Sequence, residues 1–197
     1  MIIGLTGGMG CGKSTAAEMF ERAGFRRIDS DALVREEILT EAEVINQARE
    51  RWGDEVLNGD GAIDRKVLAT KVFSDDIELS ILESWVHPRL YSRWREMLDQ
   101  DSEANWIIEV PLLFEQKLEN WFDFIVCVAS SAEVQLARLS KRGISHAPAG
   151  QRISKQLPLA RKLDQADLVL WNDGSLSFLQ QQIDQVLAKL VTPTNEA

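Results

Sequence analysis

Apolar residues in this chain fall into short unbroken runs, separated by stretches where they recur every three or four positions. "MIIGLT" at the start reads as a buried strand ended by glycines. "KSTAAEMFERAG" follows with Ala16, Ala17, Phe20 and Ala23 on one helical face. "GFRRIDSD" predicts a second short strand that carries Asp29 and Asp31 at its carboxyl end. Residues 32–103 look helical throughout, with a Gly-Asp-Gly turn at 59–61 and a helix N-cap at Asp64. Pro88 lies inside the long pattern "IELSILESWVHPRLYSRWREML", where its missing backbone donor should bend or interrupt the helix.

Strand patterns return at 106–110, 123–129 and 166–171, with a helix from about Ser131 after the second of them. A last amphipathic helix carries Leu176, Leu179, Ile183, Val186, Leu187 and Leu190 at helical spacing. Near-continuous apolar strands alternating with helices argue for an α/β fold, a parallel sheet covered on both faces. The expected organisation is a core of residues 1–38 and 105–191, a helical insertion at 39–104, and a polar tail at 192–197.

The glycine-rich turn between the first strand and the first helix carries the chemistry. In "GLTGGMGCGKST" residues 7–14 fit Gly-x4-Gly-Lys-Ser/Thr. Glycines at 7, 8, 10 and 12 let consecutive backbone N–H groups turn inward and form a nest for phosphate oxygens at a helix amino terminus. Gly8, Gly10, Cys11, Gly12, Lys13, Ser14 and Thr15 are the expected ATP loop, with Lys13 on the β- and γ-phosphates and Ser14 as the Mg²⁺ ligand. The fold class is therefore a P-loop NTPase-type parallel sheet flanked by helices. A GTPase would need Asn-Lys-x-Asp, yet none of the six asparagines precedes a lysine. Protein-kinase motifs are missing too.

Phosphoryl transfer needs an oriented acceptor hydroxyl, and a carboxylate at the end of a strand beside the glycine loop can fill that role. Asp31 is the candidate base, with Asp29 in support; the competing reading is that Asp31 only caps the following helix. Glu109, at the end of another strand, is a candidate contributor near the metal.

The 197-residue chain has 45% hydrophobic residues and a net charge of −9, which disfavours a general nucleic-acid binder. Within it, residues 134–163 hold no Asp or Glu but seven cations, Arg138, Lys141, Arg142, Arg152, Lys155, Arg161 and Lys162. A positive island in an acidic chain suits a small anionic ligand, and "GISHAPAG" inside it has the composition of a mobile lid, assigned to 136–163. Arg138 and Arg142, four apart on one helix face, are expected to approach the transferring phosphates. "NDG" at 172–174 offers Asn172 and its neighbours as a receiver for the adenine ring through backbone contacts. No apolar run approaches the length of a membrane span, and Met1 leads directly into a strand, so a cytoplasmic enzyme is expected, with no membrane association and no obligate protein partner. Cys11 and Cys127 are expected to be free thiols, with Cys11 activated by the helix amino terminus. His87 and the six tryptophans are read as packing.

Taken together, "GLTGGMGCGKST", "IDSD", "HP" at 87–88, "VPLLFE" at 110–115, "QLARLSKR" at 135–142 and "RISKQLPLARKLDQADLVLWNDGS" at 152–175 resemble the bacterial dephospho-CoA kinases. The resemblance implies transfer of the ATP γ-phosphate to the 3′-hydroxyl of dephospho-CoA, a helical substrate-binding insertion, a basic helical lid, and Asp31 as the family's base. Cys11 stands where a serine is usual. The alternatives are another small-molecule or nucleoside monophosphate kinase of the P-loop class, or a non-catalytic ATP-binding regulatory protein.

Overall fold

The computed structural model describes residues 1–143 and 156–191. The chain divides into one unit of residues 1–28 with 103–197 and a second of residues 29–102. The second unit spans 29–102, where the sequence led to an expected insertion at 39–104.

The first unit is built on five parallel strands in the order β2-β3-β1-β4-β5: β1 (Ile2–Gly7), β2 (Arg26–Asp29), β3 (Trp106–Glu109), β4 (Phe124–Ala129) and β5 (Leu168–Trp171). Register sets Leu5 beside Glu109 in β3 and beside Val126 in β4. Strand β5 starts two residues later than the apolar run suggests, because Asp167 has another task. Its Oδ2 accepts from the Ile125 amide at 2.7 Å, and Asp123 does the same for Ile2 at 2.7 Å. Each aspartate caps the first amides of the neighbouring strand, which would otherwise lack a ladder partner.

One face of the sheet, with Ile3, Leu5, Ile107, Val126, Val128 and Leu170, packs against α1 (Lys13–Arg22) and the carboxyl-terminal helix α8 (Leu176–Val191). Ala16, Ala17 and Phe20 of α1 are fully buried there, as the spacing predicts. Between β4 and β5 lie α6 (Ala132–Lys141) and α7 (Leu159–Gln165). Residues 144–155, which include Arg152, Lys155 and most of the expected lid, lie outside the described residues, as does the tail at 192–197.

The second unit holds α2 (Ser30–Glu36), α3 (Ala42–Trp52), α4 (Arg65–Phe73) and α5 (Asp76–Gln100). Asp64 caps α4 as expected, accepting from the Lys66 and Val67 amides at 2.9 and 3.2 Å. Helix α5 runs through Pro88 without interruption. Its face of Val86, Leu90 and Trp94 is buried, and the Arg89 guanidinium donates to the Trp85 carbonyl at 2.7 Å, beside the turn that lacks the proline's donor. Among the described residues no helix is long and apolar enough to cross a membrane.

Candidate active site at the glycine loop

The loop follows the carboxyl end of β1, the middle strand, and feeds α1. Two of its glycines are fixed by sterics. Gly12 has φ +94°, and a Cβ there would stand 2.2 Å from Asn172 Nδ2; a Cβ on Gly7, at φ +142°, would stand 2.2 Å from the Val128 carbonyl oxygen. Gly12 is the N-cap of α1 and brings no side chain to cap it, and no acidic residue sits in the helix's first turn. Helices α2, α4, α5 and α6 differ, since Asp29, Asp64, Asp75 and Ser131 cap them. The amides and the positive end of the α1 dipole are thus left for an anion supplied from outside the chain.

Lys13 folds back along the loop, its Nζ 3.1 Å from both the Gly7 and the Gly8 carbonyl oxygens. Ser14 is exposed and Thr15 half-exposed in the first turn of α1. Among the described residues no three His, Cys, Asp or Glu side chains converge. The exposed Ser14 hydroxyl is a hard oxygen donor, of the kind a divalent cation accepts beside phosphate oxygens and water. The donor set fits that ion.

Three other segments brace the loop from behind: α6 and the residues that follow β4 and β5. The Arg138 guanidinium of α6 donates to the Gly10 and Cys11 carbonyls at 3.3 Å each, to Ser130 Oγ at 3.1 Å and to the Asn172 carbonyl at 2.7 Å. Asn172 Nδ2 donates to the Cys11 carbonyl at 2.8 Å. Its Nη1 and Nη2 groups thus serve the loop's own carbonyls and the segments that follow β4 and β5. Asn172 is itself engaged within the first unit. Its side chain is 3% exposed, its amide donates to Ala129, and its carbonyl already accepts from Arg138 and Ser130. Arg142 is the exposed C-cap of α6. Sequence reasoning missed Ser130 and Gln135; for Ser130 the signal was a polar residue directly after a strand, and Gln135, inside α6, gave none. Gln135 Nε2 donates to the Ser130 carbonyl at 2.8 Å.

The seven-cation island is smaller than its sequence suggests. Lys162 is fully buried, its Nζ 2.8 Å from Glu115 Oε1 and 2.7 Å from the Pro111 carbonyl. Glu109 is 4% exposed, and its Oε1 accepts from Arg27 Nε at 2.9 Å and Nη2 at 2.6 Å, which fastens β2 to β3. Cys11 also departs from expectation. It is wholly buried, and burial pushes its thiol up despite the opposing pull of Lys13 and nearby amides. Cys127, also buried, is pushed up to about 12.

In the second unit, the N-cap of α2 is Asp29, not Asp31: Asp29 Oδ1 accepts from the Ala32 amide at 2.9 Å. Asp31 lies in the first turn of α2. His87 stacks on Tyr91 with centroids 5.8 Å apart, as a packing residue would, and burial holds its imidazole below the usual value.

A parallel sheet whose central strand ends in this glycine loop is the P-loop type of nucleotide-binding fold. A family model described as dephospho-CoA kinase matches residues 1–177. The dephospho-CoA kinase of Thermosynechococcus vestitus is 38% identical over 190 residues, covering 95% of this chain and 94% of the relative. A crystal structure of a Thermus thermophilus protein superposes with a TM-score of 0.84 at 35% identity, covering 98% of each chain. The dephospho-CoA kinase of Campylobacter jejuni shares the fold at a TM-score of 0.64 and 24% identity, covering 96% of each chain. The chain belongs to the dephospho-CoA kinase family, ATP-dependent enzymes of coenzyme A biosynthesis.

Proposed function

We propose that residues 8–15 hold the ATP phosphates and that Asp31 receives the proton of the acceptor, the 3′-hydroxyl of dephospho-CoA. The uncapped amino terminus of α1 carries this reading, because it leaves amides and a positive dipole end at the loop's mouth. As the hydroxyl oxygen bonds the γ-phosphorus, the bond to the β,γ-bridging oxygen breaks and ADP departs. Lys13 meets the charge that builds on the phosphate oxygens. Mg²⁺, held through Ser14 when bound, neutralises charge shared between the β- and γ-phosphates.

Asp31 suits the role of base because Asp29, and not Asp31, serves as the helix cap. In the chain it comes two residues after β2, in the first turn of α2. The test is ADP release from Mg-ATP with dephospho-CoA, adenosine, AMP and CMP offered separately. Activity confined to dephospho-CoA is expected. Asp31→Asn should lower kcat by about 100-fold or more, in the range of a lost general base, with ATP affinity nearly intact. Weakened ATP binding at normal turnover would refute the assignment.

A further inference from the structure

Asn172 and Ser130 directly follow β5 and β4, two neighbouring strands, and both reach beneath the glycine loop. We infer that they are positioning residues for the phosphates of ATP, acting through the Cys11 carbonyl without touching the nucleotide. This rests on the reading of residues 8–15 as the ATP site.

A trans peptide points its C=O and the next N–H in opposite directions, so whatever captures the carbonyl aims the amide. The Cys11 carbonyl is captured by Asn172 Nδ2 at 2.8 Å, with Arg138 Nη1 at 3.3 Å alongside. The Gly12 N–H is thereby turned away from that cluster, to the side where a nest of amides takes an anion. The preceding peptide follows the same rule. Arg138 holds the Gly10 carbonyl at 3.3 Å, and the Cys11 N–H turns away to the Gly8 carbonyl at 3.2 Å.

Two features make the brace specific. Asn172 Oδ1 is buried and has no hydrogen-bond partner among the described residues, where the side chain serves as a donor; aspartate, of the same shape, would set oxygen against the Cys11 carbonyl. Ser130 then fixes Asn172 itself, its hydroxyl donating to the Asn172 carbonyl at 3.0 Å while accepting from Arg138 at 3.1 Å. The peptide needs holding because Gly12, at φ +94°, has the backbone freedom to let it flip.

The test uses the full chain and calorimetric titration with magnesium tripolyphosphate and with Mg-ADP, beside thermal melts without ligand. Loss of one hydrogen bond in the brace predicts that Asn172→Ala and Asn172→Asp weaken both probes by a similar factor of about tenfold, and Ser130→Ala by about threefold. KM for ATP should rise with little change in kcat. Should Asn172→Ala fail to fold, Asn172→Asp and Ser130→Ala carry the same expectation. Weaker ADP with unchanged tripolyphosphate would make Asn172 a base contact and overturn the inference. So would lower melting temperatures with unchanged affinities. Failure of the unsubstituted protein to bind either probe would instead overturn the ATP-site reading on which the inference stands.

Discussion

Removing the ammonium of Lys162 should destabilise the first unit more than its distance from the glycine loop suggests. The side chain is fully buried against Glu115, whose own side chain is 20% exposed, with 2.8 Å between Nζ and Oε1. At an effective dielectric of about 20 their attraction is about 6 kcal/mol, roughly matched by the cost of taking both ions out of water, so the intact pair contributes little net stability. Breaking it is a different matter. Lys162→Met leaves the Glu115 carboxylate with the Leu157 amide at 2.8 Å and takes the 2.7 Å donor from the Pro111 carbonyl. An uncompensated buried charge of this kind costs about 3–5 kcal/mol, a large share of the 5–15 kcal/mol that holds a typical domain together. Adding Glu115→Gln removes the stranded charge and keeps an acceptor for Leu157. The double variant should therefore return to within about 1–2 kcal/mol of the parent. Urea unfolding followed by tryptophan fluorescence measures all three proteins. A single variant within about 1 kcal/mol of the parent, or a double variant no better than the single, would refute the reasoning.

Other expectations follow from the titratable groups. Cys11 and Cys127 are buried and their thiols are raised, so both should resist a thiol reagent such as DTNB at pH 8 and react at once in denaturant; rapid labelling of the folded protein would contradict their burial. His87 is held below its usual value by burial, with Glu83 opposing. The unfolded chain then binds the extra proton first. The neutral imidazole's contribution is present above about pH 6.5, the unfolded value, and is lost as pH falls below it. Melting temperature should therefore fall more steeply from pH 7 to pH 5 in the parent than in His87→Gln, and identical slopes would remove His87 from the acid response.

The sequence determined those features that local physics specifies. Unbroken apolar runs mark strands buried on both faces, so β1, β3 and β4 were legible almost to the residue. The glycine loop was legible because its spacing encodes a backbone path that few side chains tolerate. The cap at Asp64 follows from a side chain that bonds its own helix start.

Tertiary structure decided what became of the polar groups. Lys162 and Arg138 have the same charge as Arg142, but Glu115 and Pro111 enclose the first and the loop's carbonyls engage the second; both sets of partners lie far away in the sequence. The same holds for Cys11, whose helix-terminus location suggested an activated thiol until burial proved the stronger influence. Asn172 became a brace because β5 ends behind the loop, and Pro88 stayed within a helix because α5 buries one face along its length. Strand and turn propensities act over a few residues and can be read directly. A side chain's solvation and partners are set by segments that only the folded chain brings together, and those decide charge, reactivity and role.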